Sequence, residues 1–203
     1  MKRRDFSSLS RRKGQREVKQ SFLIVCEGKS TEPDYFSAFR LTSASVRAVG
    51  EAMNTVSLVN RALAIRDADA KRGRIYDQHW VVFDKDDFPA GDFNRAVEMA
   101  NANGFKAAYS NQAFEYWFLL HFGLFQGPMH RNEYAAKLTR LTGLRYRKSE
   151  GFGTLIYNLL LGRQPQAIIN AETVLKEISG GNPAAEESST TVHLLVQELN
   201  KYL

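Results

Sequence analysis

Two stretches of the chain are apolar at every position instead of at alternate ones: Phe22-Leu23-Ile24-Val25-Cys26 and Trp80-Val81-Val82-Phe83. A strand without polar alternation is buried on both faces, as in a parallel sheet covered by helices. The pattern predicts strands over 21–26 and 79–84, a third over Phe105 to Tyr109, and a short one over Ser45 to Val49. Between them the apolar period lengthens to that of a helix. One helix follows Ser30 or Thr31, which can cap it, has Pro33 in its first turn and runs to about Leu41. Another spans Thr55 to about Lys71 with Val56, Val59 and Leu63 on its apolar stripe. A third spans Phe93 to about Asn103, capped by Asp92. Ala113 to Phe122 reads as a helix apolar on nearly every side. Further helices are expected near Arg131–Leu141, Gly153–Leu161, Ala167–Ser179 and Thr191–Lys201, separated by glycines.

Strand–helix alternation over residues 21–122 predicts an α/β fold: a parallel sheet sandwiched by helices, with a helical C-terminal extension. The chain has 203 residues, enough for one domain and short for two. No linker rich in Pro, Gly or Ser splits residues 21–203. No apolar run approaches the roughly 20 residues of a membrane span, and no signal peptide is visible. One cysteine, Cys26, excludes an internal disulfide and a Cys-rich zinc site, which fits a cytoplasmic setting.

The net charge of +6 sits in one place. Residues 1–20 carry eight basic side chains against Asp5 and Glu17, which leaves the remainder electrically balanced. This basic tail, with Arg3, Arg4, Arg11, Arg12 and Lys13, is either an arm for nucleic acid or a solvated flexible terminus.

Candidate chemistry lies at strand ends. Glu27 is the first residue after strand 21–26, and Asp84-Lys85-Asp86-Asp87 closes strand 79–84. If the strand order is 2-1-3-4, these strands are neighbours and their carboxyl ends form the crevice where open parallel sheets bind ligands. In an extended chain, Asp84 and Asp86 lean the same way, with Cα atoms about 6.5–7 Å apart. Glu27, Asp84 and Asp86, with Asp87 as a fourth, form an oxygen-only set suited to Mg²⁺ or Mn²⁺. The competing reading makes the aspartates loop and capping residues. Lys29 can hold a phosphate or be a solvated loop lysine. Ser110 and Asn111 can cap the next helix. Glu115, on so apolar a helix, needs a partner: a metal, or a base such as Arg40 or Lys137. His121 reads as a core histidine ahead of a ligand. P-loop, H-E-x-x-H and G-x-S-x-G patterns are absent.

Four segments in order resemble the RloB family: 22–36 (FLIVCEGKSTEPDYF), 80–88 (WVVFDKDDF), 110–122 (SNQAFEYWFLLHF), and Asn182-Pro183 followed by 189–196 (STTVHLLV). Residues 184–187 lengthen the last segment beyond the family's usual spacing. RloB-like proteins accompany restriction–modification and other anti-phage loci and are regarded as Toprim-like, the fold of primases, topoisomerases and OLD-family nucleases. The resemblance implies a metal-dependent nuclease acting on RNA or DNA in defence, with Glu27 as the Toprim glutamate and Asp84 and Asp86 as the D-x-D pair. Glu32 and Glu115 match family positions, and Lys137 or Lys148 is a candidate for the basic residue of Toprim nucleases. The alternative is a non-catalytic nucleic-acid- or ATPase-binding subunit, in which Tyr35, Phe88 and Phe93 are exposed contact residues. A third reading is phosphoryl transfer through Asp84 as nucleophile.

Overall fold

The computed structural model describes residues 20–53, 55–86, 89–178, 182–185 and 188–203. The tail arginines and Lys13, Asp87 and Phe88 lie outside the described residues. Four parallel strands, β1 (Gln20–Cys26), β2 (Ala44–Gly50), β3 (Gln78–Asp84) and β4 (Lys106–Ser110), form one sheet in the order β2-β1-β3-β4. The two apolar strands are the central pair, and Phe22 to Cys26 are wholly buried.

Side-chain alternation splits these strands between two cores. Leu23, Val25, Val81 and Phe83 face α2 (Thr55–Lys71) and α3 (Ala90–Ala102). Phe22, Ile24, Cys26, Trp80 and Val82 face a larger aromatic core. That core holds α1 (Thr31–Ser37), α4 (Glu115–Leu119), α5 (Tyr134–Thr142), α6 (Phe152–Leu160), α7 (Gln164–Glu177) and α8 (Val192–Asn200). The expected α/β sandwich is present, and its C-terminal helices cover one sheet face together with α1.

Several local expectations are corrected. In α2 the buried stripe is Leu58, Val59, Ala62 and Ile65, rotated from the expected one. It ends on Asp69, which is buried because Arg47 of β2 pairs with it and the Tyr76 hydroxyl donates to it at 2.7 Å. Helix α3 begins two residues before Asp92, which sits in the first turn and makes no side-chain cap. Ser30 occupies the cap position of α1 without a side-chain bond. Helix α4 is shorter than 113–122: its ends tighten into i→i+3 bonds, and Asn170 Nδ2 donates to the Leu120 carbonyl at 2.8 Å. Tyr35 and Phe93 are buried, 1% and 0% exposed, so neither is a surface contact residue.

The segment 188–191 returns to the open side of β4. Ser110 and Thr190 form an antiparallel bridge, and the Thr191 N–H donates to the Tyr109 carbonyl at 2.8 Å. This contact anchors the C-terminal helices at the strand end beside the acidic crevice. Among the described residues, no helix is long and apolar enough to cross a membrane.

Candidate active site

The carboxyl ends of β1 and β3 lie side by side, as the strand order requires. The Glu27 N–H donates to the Val82 carbonyl at 2.8 Å, and the Asp84 N–H donates to Glu27 Oε2 at 3.0 Å. Glu27 is thereby aimed across the strand gap at Asp84. The chain then turns: Asp86 has φ +44°, so it is not extended, and the predicted same-side geometry of Asp84 and Asp86 does not apply. Asp86 still faces the crevice, where its Oδ1 pairs with Arg131.

Two further carboxylates arrive from helices on the aromatic side. Glu32 comes from the first turn of α1 and Glu115 from the first turn of α4, 7% and 4% exposed. Gly28 leaves the space that the Glu32 carboxylate occupies, and a Cβ at that position would displace it. Glu27, Glu32, Asp84, Asp86 and Glu115 line one cavity of about 720 Å³, with Arg131, Asn132, Tyr134, Tyr146, Arg147 and Lys148 on its other walls. Glu115 has the partners its burial demands, though neither Arg40 nor Lys137 is one of them. Lys148 Nζ and the Tyr146 hydroxyl each lie 2.8 Å from its Oε1.

The protonation equilibria register this crowding. Burial, opposed by the Asp84 N–H and reinforced by Asp86 and Glu32, pushes Glu27 up to about 7. Burial and the repulsion of Glu32, Glu115 and Glu27 hold the Asp84 carboxyl well above the usual carboxylate range. Burial also raises Glu32. Lys148 is drawn down by its own burial, but the Glu115 carboxylate outweighs this and keeps the ammonium above its ordinary range. Five carboxyl groups thus share one cavity with Arg131, Arg147 and Lys148, and Glu27, Glu32 and Asp84 take up protons more readily there than in water. Among the described residues, no three His, Cys, Asp or Glu side chains stand as a ready-made metal cage. The acids share a cavity without converging on a single point.

Other predicted residues lie elsewhere. Ser110 bonds Thr190 Oγ1 at 3.0 Å. Asn111 Nδ2 donates to the carbonyls of Pro183 and Ala184, at 3.2 and 3.3 Å. Both tie down the returning C-terminal segment instead of capping α4. Lys29 is exposed and lines a small neighbouring cavity with Thr31, Glu32 and Lys148. Lys137 stands over the Phe125 ring, 4.2 Å from its centroid, and is not among the residues lining the acidic cavity. His121 is 3% exposed, bonds the Trp117 carbonyl through Nδ1 at 2.9 Å, and belongs to the core. Sequence reasoning missed Arg131, Tyr146 and Arg147. The run Arg145-Tyr146-Arg147-Lys148 was the available signal, since so basic a loop has a counter-charge nearby.

The family model for RloB-like proteins matches residues 22–199. The chain belongs to the RloB-like family. The match covers the sheet, the acidic crevice and nearly all of the C-terminal helices of this RloB-like protein. No curated protein matches it.

Proposed function

We propose that this RloB-like protein is a Toprim-type, divalent-metal-dependent endonuclease that hydrolyses phosphodiester bonds in RNA, tRNA included, or in DNA, as an effector of anti-phage defence. The observation that supports this reading most is the meeting of five carboxylates in one cavity at the carboxyl ends of β1 and β3. The donor chemistry fits Mg²⁺ or Mn²⁺: every acid offers hard oxygen, the donor that suits such a cation. Glu27, Asp84 and Asp86 would hold it, with Asp87, the next residue in sequence, as a further ligand and Glu32 and Glu115 in the same cavity. Bound there, such an ion would supply positive charge against the scissile phosphate and make water beside it more acidic.

The chain's own groups have separate tasks. Glu27, which the Asp84 N–H orients across the strand gap, can accept a proton from attacking water or return one to the leaving oxygen. Arg147 and Lys148 face the acids from the far wall and can hold non-bridging phosphate oxygens. Tyr146 and Lys148 hold the Glu115 carboxyl in place. The basic residues Arg3, Arg4, Arg11, Arg12 and Lys13 extend the attraction for a polyphosphate backbone.

One observation favours the second reading, a non-catalytic subunit that binds nucleic acid or an ATPase encoded nearby. Arg131 and Lys148 already offset two of the five acids, and no preformed cage stands among the described residues. Incubation with labelled RNA and DNA pools, with and without Mg²⁺ or Mn²⁺, separates the two. The nuclease reading expects metal-dependent cleavage by the wild type and none by Glu27→Ala or Asp84→Ala. Cleavage that persists in both variants contradicts it, and binding without any cleavage by the wild type supports the subunit.

A further inference from the structure

Beside the acidic cavity lies a smaller one of about 230 Å³, lined by Leu144, Arg145, Arg147, Phe152 and Leu155. Arg147 lines both, so the two are neighbours on either side of one residue. The small cavity has an apolar floor and walls. Phe152 is 4% exposed beneath it, while Leu144 and Leu155 leave 37% and 48% of their surface open beside it. The Phe152 ring packs edge-on against Tyr146 at 5.2 Å, and Tyr146 in turn holds Glu115. The floor of the apolar cavity and the wall of the acidic one are thus a single packed unit.

The charges at the rim point the same way. Lys148 and Arg131 are engaged by carboxylates, whereas Arg145 and Arg147 meet no ion-pair or hydrogen-bond partner among the described residues. An apolar cavity of about 230 Å³ lined by two arginines matches a ligand that alternates planar rings with phosphates. We propose that this cavity receives an unpaired nucleobase of the strand whose phosphate lies in the acidic cavity, with Arg145 and Arg147 on the flanking phosphates. The proposal rests on the nuclease reading for the placement of that phosphate. It deepens that reading by favouring single-stranded or looped nucleic acid as the substrate class, because a base taken from a duplex must first be unpaired and unstacked at a cost of a few kcal/mol. An acidic, apolar protein segment would match the rim charge too. The shared Arg147 favours the nucleic acid, since a guanidinium between an acidic cavity and an apolar one suits a strand in which phosphates alternate with bases.

The test uses the full chain and fluorescent RNA and DNA oligonucleotides of one sequence, intact or carrying a single abasic residue at successive positions. Binding is read by anisotropy without divalent ions. One position should stand out, its abasic form binding roughly tenfold more weakly, as expected for the removal of one stacked base. Leu155→Glu, at an exposed helix position, should weaken the intact strand and abolish that position dependence. The RNA and DNA arms show which backbone is preferred. Equal tolerance of abasic residues at every position, full position dependence in Leu155→Glu, or tighter binding of duplex than of single strand overturns the base site. Cleavage of the same oligonucleotides with Mg²⁺ or Mn²⁺ is scored separately. Position-dependent binding without cleavage overturns the nuclease reading and leaves the base site standing.

Discussion

Glu115 is a charge held inside the protein, and its partners are unequal in kind. Tyr146 is buried and supplies a neutral donor, while Lys148 is 64% exposed at its side chain and supplies the counter-charge. Lys148→Met removes the charge and keeps most of the stem. It should destabilise the fold by about 1–2 kcal/mol at pH 8, below the full cost of breaking a buried pair because the lysine is only partly desolvated while Glu115 is buried. Urea denaturation measures this, and an unchanged midpoint would show that solvent already does the work of the ammonium. Glu27 makes the opposite prediction. Its folded pKa of about 7 lies above the ordinary value of 4.5, so the folded state favours the protonated acid. The protein is then penalised as pH rises through about 7 and is indifferent to this group below about 4.5. Glu27→Gln, which keeps an acceptor for the Asp84 N–H, should raise the melting temperature at pH 8 and leave it unchanged at pH 4. A variant less stable than the wild type at pH 8 contradicts the picture of a crowded anionic cavity.

Helices α1 and α6 approach each other so closely that position 153 accepts no side chain. A Cβ on Gly153 would overlap the Thr31 carbonyl and crowd Asp34 and Tyr35. The close approach matters to the site because it seats α1, and α1 carries Glu32. Gly153→Ala should cost about 1–3 kcal/mol through overpacking against backbone, although alanine is the better helix former. Equilibrium unfolding checks it, and a stabilised variant would show that the two helices have room to part. The central strands were legible in the sequence because a strand buried on both faces has no polar alternation, as in Phe22 to Cys26. Their ends were legible because the acids follow at once. Glu27 and Asp84 consequently met as expected, and β2 fell at the predicted edge. What the sequence hid depends on the path of the chain after β4. Ser110 and Asn111 look like caps, and only the return of residues 182–185 and 188–191 makes them ties. Lys148 rather than Lys137 reaches Glu115 because the loop after α5 folds back over the crevice, a long-range geometry that no local spacing encodes. Asp86 reaches the cavity through a left-handed backbone, which Asp tolerates but does not announce.

At the scale of the whole molecule, charge is divided between a basic N-terminal segment and an acidic crevice ringed by a basic loop. A nucleic acid drawn in by the first would meet phosphate-holding groups at the second. Deleting residues 1–19, which stops short of the strand beginning at Gln20, should weaken binding to single strands and flatten its salt dependence. For every phosphate that the shortened chain no longer neutralises, the slope of log affinity against log salt falls by about 0.7. Anisotropy titrations at several salt concentrations read this directly, and an unchanged slope would place every phosphate-binding group on residues 20–203. The account as a whole depends on the carboxylates at the ends of β1 and β3 sharing a divalent ion. Calorimetric titration of Mg²⁺ into the full chain at pH 8, beside the Glu27→Gln, Asp84→Asn double variant, measures that most directly. Saturable binding by the wild type and its loss in the folded double variant is the predicted result; no binding, or equal binding by both, contradicts it.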